Sequence, residues 1–243
     1  MRFFLPVDNS SSENHSFFSG LALEAPVTLE EILNAVTHGV GAALAVAALV
    51  GMLVYYADGG VWHTTSCLVY GISLILLYLA STLYHSFTNL KVKSVFKVID
   101  HAAIFVLIAG NYTPFALIPL HGSFGWTIFG LVWGMALVGI VFQCFAAKRF
   151  RIVRTLCYLG MGWFAVFMVK PLLETLPIEA IWWLVAGGLC YSVGAIFYLA
   201  RRLPYSHVIW HLFVMGGSAI HFYTVFHFVL PLPEVVRSAI AMI

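Results

Sequence analysis

Two pairs of residues in the sequence have the spacing that metal ligands and their supporting groups adopt on a helix. His207 and His211 are four residues apart, and so are Ser81 and His85. Residues at this spacing lie on one face of an α-helix, a turn apart. Three neutral imidazoles with one open tetrahedral position form a catalytic Zn²⁺ site, with Zn–N distances of about 2.0–2.1 Å. His85, His207 and His211 are therefore candidate ligands for Zn²⁺, provided that the fold brings them together.

Asp100 and Ser81 are the candidate catalytic residues. Asp100 opens a long apolar run, and a charge at such a position is costly in a membrane unless it has a function or a partner. Beside a metal ion, a carboxylate orients or deprotonates the water of the metal, or supports one of its ligands. The Ser81 hydroxyl can help to hold a developing oxyanion.

Each of these signals also has an ordinary structural explanation. A pair of histidines four residues apart is often hydrogen-bonded or interfacial and binds no metal. Asp100 can pair with Lys97, which lies one turn earlier on the same helix. Ser81 can bond the backbone of its own helix. The residues alone leave both explanations open.

A third stripe of polar residues precedes the first apolar run. Glu31, Asn34 and His38 lie at positions i, i+3 and i+7, on one helix face. In the first turn of a helix, Glu31 favours the helix dipole, while Asn34 and His38 can join helices through hydrogen bonds. The alternative is that all three support the metal ligands from behind. We expect these three residues to serve mainly the helix and its packing, and to give some support to the metal ligands as well.

The composition indicates that the elements carrying these residues lie in a membrane. Hydrophobic residues make up 62% of the 243-residue chain and charged residues only 9%, whereas soluble domains have about 25% charged residues. Apolar runs of about 20 residues predict an all-α fold, a polytopic bundle of seven transmembrane helices. We expect one domain at residues 30–243, after a mobile polar N-terminal tail at residues 1–29. The approximate spans are 36–56, 64–85, 100–120, 124–146, 152–171, 180–199 and 206–230.

The cationic residues predict the orientation of these spans. Ten of the 12 Lys and Arg residues fall on the side of the N-terminus, which is therefore cytoplasmic, and the C-terminus lies outside. G-protein-coupled receptors have the opposite orientation, and a retinal protein needs a lysine that the last span lacks. The net charge of only +2 gives no reason to expect nucleic acid as a partner. The ten residues are Arg2, Lys91, Lys93, Lys97, Lys148, Arg149, Arg151, Arg154, Arg201 and Arg202.

This topology places the candidate residues in one cytoplasmic layer. The second span ends at His85, the third begins at Asp100, and the seventh begins near His207. Three histidines, a carboxylate and a hydroxyl can therefore converge. His221 follows His211 by ten residues, about 15 Å further along a helix, which is too far to share a metal with it.

The motifs resemble those of the hemolysin III proteins, which belong to the progestin and adipoQ receptor superfamily together with the adiponectin receptors. The resemblance covers about residues 30–230 and implies a seven-helix bundle with a cytoplasmic N-terminus. It also implies a zinc ion bound by His85, His207 and His211, with Asp100 holding its water and Ser81 nearby. The motifs that carry it are Glu31-x₂-Asn34-x₃-His38-Gly39, Ser81-x₃-His85, Asp100-His101, His207-x₃-His211 and, as in the bacterial branch, Asn111-Tyr112-Thr113-Pro114.

The resemblance implies a role in membrane lipid homeostasis, in the inner (plasma) membrane of a bacterium. Because animal relatives are linked to ceramide hydrolysis, the implied enzyme is a zinc-dependent lipid hydrolase, a ceramidase-like amidohydrolase. Its partners would be membrane lipids and a lipid amide or a fatty-acid-like ligand. Whether the chain is an enzyme stays open, because two alternatives remain. One is a sensor of membrane state with structural zinc, and the other is a proton- or ion-conducting protein, although the polar residues form one layer and do not cross the bilayer.

Overall fold

The structure, a computed structural model, describes residues 24–146, 150–200 and 202–231. Within these ranges the regular structure consists of seven long helices, a short 3₁₀-helix at Ala57–Gly59 and one isolated β-bridge between Glu24 and Asn89. The middle of α5, Phe164–Met168, is a 3₁₀-helix, and a π-helical turn, Val225–Val229, extends α7. The helices are α1 (Leu29–Tyr56), α2 (Val61–Ser86), α3 (Leu90–Leu117), α4 (Ser123–Ala146), α5 (Arg151–Leu173), α6 (Ile178–Leu199) and α7 (Ser206–Thr224).

Six of the seven helices are long and apolar enough to cross a membrane. The exception is α3, which carries lysines in its first turns and the polar residues Asp100, His101 and Asn111 further along. The all-helical architecture is as predicted. The seventh span and the sides of the membrane on which the two termini lie stay predictions.

The outer surface of the bundle is apolar. Large hydrophobic side chains are widely exposed along α1, α4 and α5, for example Val54, Val138 and Phe167, and Phe145 is 88% exposed. Polar side chains such as Asn34, Ser81 and Gln143 are instead buried. A protein surrounded by water has the reverse distribution, so this surface is suited to lipid.

Neighbouring helices pack as a partly closed ring. The main contacts join α1 to α2, α2 to α3, α3 to α4 and α6 to α7, and α1 also contacts α7. In contrast, α5 packs only sparsely against α3, α4 and α6. This arrangement leaves a cavity between α3, α5, α6 and α7.

The start of α3 differs from the predicted third span. The helix begins at Leu90, ten residues before the predicted start at Asp100, because the Asn89 side chain accepts hydrogen bonds from the backbone N–H groups of Lys91 and Val92, at 3.0 and 3.2 Å. A side-chain oxygen at this position satisfies N–H groups that the helix leaves unpaired. The spans predicted from the sequence leave Lys91, Lys93 and Lys97 in a loop between the second and third spans, which is wrong, since these lysines occupy the first turns of α3. Hydropathy marks where a helix becomes apolar, whereas the cap marks where it starts.

The first helix begins at Leu29, after residues 24–28. The Ala25 N–H donates to the Thr88 carbonyl at 2.7 Å, and the Thr28 hydroxyl accepts from the Glu31 N–H at 3.2 Å as the helix cap. The predicted mobile tail, residues 1–29, lies mostly outside the described residues. What the structure adds is a defined entry into α1, which fixes the position of Glu31.

Candidate metal centre

The three predicted ligands converge at one end of the bundle. His85 comes from the last turn of α2, and His207 and His211 come from the first turns of α7. Each ring offers a nitrogen atom, and these three atoms lie within 4.8 Å of one another. The ring centroids are 4.7–5.2 Å apart. This geometry is close enough for one metal ion to bind all three rings.

Glu31 orients the His85 ring. The His85 Nδ1 atom lies 3.0 Å from Glu31 Oε2, and it must donate because a carboxylate only accepts. A neutral imidazole then has its lone pair on Nε2, and this buried atom has no hydrogen-bond partner among the described residues. Lys93 Nζ donates to the same carboxylate oxygen at 2.7 Å. The bare nitrogen therefore fits a metal ligand, since ligating histidines commonly bond a carboxylate through their other nitrogen.

Thr37 plays the corresponding part for His211. The Thr37 hydroxyl donates to the backbone carbonyls of Leu33 and Asn34, at 2.8 and 3.0 Å, so that its oxygen is left to accept. His211 Nδ1 lies 3.3 Å from that oxygen and therefore carries the hydrogen. The Nε2 atom of His211 is again left with its lone pair. His38 stacks on the His211 ring, with centroids 3.5 Å apart and the planes at 9°.

The candidate catalytic residues lie next to each other and are buried. The Asp100 carboxyl group lies beside the Ser81 hydroxyl. Among the described residues, however, no group forms a hydrogen bond of normal geometry with the Ser81 oxygen. Asp100 lines the same cavity as His207 and His211. A carboxyl group is thus placed at the end of the cavity where the histidines converge, with a hydroxyl group next to it.

A hydrogen-bonded chain supports Asp100 from the other side. His101 Nδ1 lies 2.6 Å from the Lys97 carbonyl and 3.4 Å from Asp100 Oδ2. His101 Nε2 lies 3.2 Å from the Tyr198 hydroxyl, to which buried Arg154 donates at 2.6 Å. Because this chain joins α3, α5 and α6, it fixes the end of the cavity that lies next to the histidines.

The cavity that begins at the histidine cluster extends deep into the bundle. Its walls are mostly apolar and come mainly from α3, α5, α6 and α7, with Leu107, Met168 and Val214 as examples, while α1 and α2 contribute His38 and Leu77. Asn111 and His221 provide a second polar level in its lining. A chamber of this composition suits the hydrocarbon chain of a lipid.

The structure brings all eight residues selected from the sequence to the same end of the bundle. Asn34, which is buried, presents its backbone carbonyl to His211. The residues that sequence reasoning missed are Thr37, Lys93, Tyr198 and Arg154. Thr37 could have been found, because it continues the helical stripe of Glu31 and Asn34 at the next i+3 position. The contact of Lys93 with Glu31 could not be predicted without knowing that α3 starts before Lys93. The contact between Tyr198 and Arg154 depends on packing between helices, which the spacing of residues in the sequence does not reveal.

Known proteins resemble this chain over most of its length. A family model described as Haemolysin-III related matches residues 27–222. The chain is 49% identical over 203 residues to Hemolysin-3 of Bacillus cereus, covering 83% of this chain and 93% of that protein. It is 48% identical over 205 residues to the Hemolysin-3 homolog of Bacillus subtilis (strain 168), covering 84% and 96%. It is 29% identical over 219 residues to the Monocyte to macrophage differentiation factor of Homo sapiens, covering 86% and 88%.

Proposed function

Because this chain belongs to the haemolysin-III related family, within the progestin and adipoQ receptor superfamily, and is an integral protein of the bacterial inner (plasma) membrane, we propose that it binds Zn²⁺ and acts on membrane lipids. The proposed ligands are His85, His207 and His211, and the proposed reaction is hydrolysis of an amide or ester bond of a lipid, in membrane lipid homeostasis. The observation that carries the proposal is the convergence of three histidine nitrogens within 4.8 Å beside an apolar cavity.

The residues around the histidines have separate tasks in this reaction. A Zn²⁺ ion on three imidazoles supplies a Lewis acid and an activated water at neutral pH. Asp100 takes a proton from the nucleophile and delivers it to the leaving group. Ser81 donates a hydrogen bond to the carbonyl oxygen on which negative charge develops. Glu31 and Thr37 keep His85 and His211 in the tautomer that leaves Nε2 bare.

The cavity supports a lipid as the substrate class. An acyl chain lying between α3, α5, α6 and α7 would bring its carbonyl carbon to the end of the cavity that Asp100 and His207 line. The mostly apolar walls exclude water from the chain, and the histidine and carboxyl groups lie at the end where the bond would be cleaved. A fatty-acid-like molecule is the corresponding product or ligand.

Zinc content is the first test of this proposal. We expect about one zinc per chain in detergent-purified protein, and loss of that zinc in His211→Ala, measured by elemental analysis. His227→Ala is the matched control, because this exposed histidine follows α7 and lies outside the cluster. Folded wild-type protein that holds no zinc, even after zinc is supplied, would contradict the proposal.

Asp100→Asn separates the enzyme from a sensor with structural zinc. The amide keeps the shape of the carboxyl group but cannot accept the proton, so we expect zinc to stay bound while hydrolysis falls by about 10²–10⁴-fold. The measurement is release of fatty acid from a panel of ceramides and lipid esters, beside zinc content of the same preparation. If the wild type binds zinc and cleaves none of these lipids, the sensor is the better explanation.

A further inference from the structure

The cavity has a second polar level, far from the histidine cluster. His221 follows His211 by ten residues on α7, and Asn111 follows Asp100 by eleven on α3, which is about 15 Å along either helix axis. All four residues line the cavity. The wall between the two levels is mainly apolar, with Ile104, Leu107 and Ile108 on α3 and Val214 on α7.

At this second level, both ring nitrogens of His221 form hydrogen bonds. His221 Nε2 lies 3.0 Å from the Leu184 carbonyl and must donate, since a carbonyl only accepts. In a neutral imidazole Nδ1 is then an acceptor, and its partner is the side-chain amide N–H of Asn111. His221, which is 7% exposed, therefore has both nitrogens satisfied and fixes which way the Asn111 amide faces.

The Asn111 side-chain oxygen is left without a partner. This Oδ1 atom is buried, and no described residue bonds to it. Leaving a buried acceptor unpaired costs about 1–3 kcal/mol, so such atoms usually have a partner. Because Asn111 lines the cavity, a molecule in the cavity can supply the missing donor. A carboxylate or an unprotonated phosphate has no hydrogen to give, whereas a hydroxyl group has.

The backbone around this level is shaped to hold the His221 ring. A Cβ atom on Gly187 would lie 2.1 Å from His221 Cδ2, so α6 approaches the ring at a point where no other residue fits. The Tyr191 ring meets His221 edge-on, with centroids 5.4 Å apart. These contacts orient His221, and through it Asn111, before any ligand arrives.

We propose that Asn111, oriented by His221, binds a hydroxyl group on the chain of an elongated lipid whose carbonyl group lies at the histidine cluster. The inference rests on the proposed function and deepens it, because it names the substrate class as lipids with a hydroxylated acyl chain. The apolar wall accommodates the hydrocarbon between the carbonyl and the hydroxyl group. Selectivity for such a chain comes from one hydrogen bond at the second polar level.

The test compares two fatty acids that differ by one hydroxyl group. Ricinoleic acid is oleic acid with a hydroxyl in the second half of its chain, and both are measured by displacement of radiolabelled oleic acid from the purified full-length protein. We expect ricinoleic acid to bind about 3- to 10-fold more tightly, the size of one net hydrogen bond. Methylation of its hydroxyl, which removes the donor, abolishes the preference.

Asn111→Leu should bind the two fatty acids equally. Ile108→Leu is the matched control, because it changes another residue of the same wall without touching a polar group, and it keeps the preference. If Asn111→Leu does not fold, Asn111→Thr replaces it, since a threonine hydroxyl bonds its own helix and removes the amide.

The outcomes separate this inference from the proposed function. Equal binding of both fatty acids by the wild type, or a preference that survives in the Asn111 variant, overturns the inference and leaves the lipid cavity and the metal centre intact. No binding of either fatty acid overturns the lipid cavity as well, and the proposed function with it.

Discussion

A metal-binding imidazole must present one bare nitrogen, so the group bonded to its other nitrogen controls the site. Glu31 occupies that position for His85, at 3.0 Å, and Thr37 does so for His211, at 3.3 Å. Glu31 is itself held by Lys93, the residue that α3 brings into contact with α1. Residues of α1 and of the first turns of α3 therefore define which tautomers the histidines adopt.

Glu31→Ala should weaken zinc binding without unfolding the bundle. The substitution removes the acceptor of the His85 Nδ1–H, so the ring can rotate and change tautomer, and a loss of about 10- to 100-fold in affinity is expected. Competition with a coloured chelator measures the affinity. Glu30→Ala, one residue earlier in the same first turn, serves as the control. Equal affinities for the two variants would show that Glu31 serves only the helix dipole.

At the scale of elements, α7 begins in an unusual conformation. Tyr205, the residue before Ser206, has φ 57° and ψ 17°, and it is the only non-glycine residue with positive φ in the described part of the chain. A side chain in this region costs about 1–2 kcal/mol. The strain lies two residues before His207, where it sets the direction in which α7 leaves the preceding turn.

Tyr205→Val should lower both stability and zinc content, because a β-branched residue tolerates positive φ even less well than tyrosine. Tyr205→Gly should keep the zinc, since glycine adopts this conformation freely. Thermal unfolding in detergent and elemental analysis measure the two effects. Leu203→Val is the control for a similar change at a nearby exposed position whose φ is not positive. A Tyr205→Val protein as stable as that control would disprove the role of this turn.

The helix bounds predicted from the sequence are accurate where the apolar run and the helix begin and end at the same residues. The fourth helix was expected at 124–146 and is Ser123–Ala146. The third was expected to begin at Asp100 and begins at Leu90, since three lysines make its first turns look like a loop. Propensity and capping at Asn89, which hydropathy does not measure, decide that boundary.

On the scale of the whole molecule, the number of spans determines where the termini lie. Seven spans place the N-terminus and the C-terminus on opposite sides, whereas six place them on the same side. The distribution of lysines and arginines between the two ends of the spans favours a cytoplasmic N-terminus. The side of the membrane on which the C-terminus lies therefore shows whether α3 crosses the bilayer.

Alkaline phosphatase fused to the C-terminus should be active, because this enzyme folds only outside the cytoplasm, where its disulfides form. The same reporter fused after Arg202, between α6 and α7, should be inactive. Activities on bacterial cells, normalised to expression, check both expectations. Inactive C-terminal fusions of normal abundance would place the C-terminus inside and contradict a seventh span.

Part of the histidine cluster was predictable from the sequence, because helical spacing alone places His207 and His211 on one face. The cavity was not predictable in the same way. Its walls depend on how sparsely α5 packs, and the support of Asp100 depends on Arg154 reaching Tyr198 from a different helix. Spacing along one helix carries no information about such contacts between helices.

The 3₁₀ segment of α5, Phe164–Met168, forms part of that cavity wall through Ala165 and Met168. Hydrogen bonds of a 3₁₀-helix have poorer geometry than those of an α-helix, and a segment with few packed neighbours opens at low free energy. Because α5 also packs sparsely against its neighbours, we expect this part of the cavity wall to yield more readily than the parts formed by α3 and α7. In the proposed binding mode, displacement of α5 would accommodate chains of different thickness, so the protein would select the position of the hydroxyl group more strictly than the thickness of the chain.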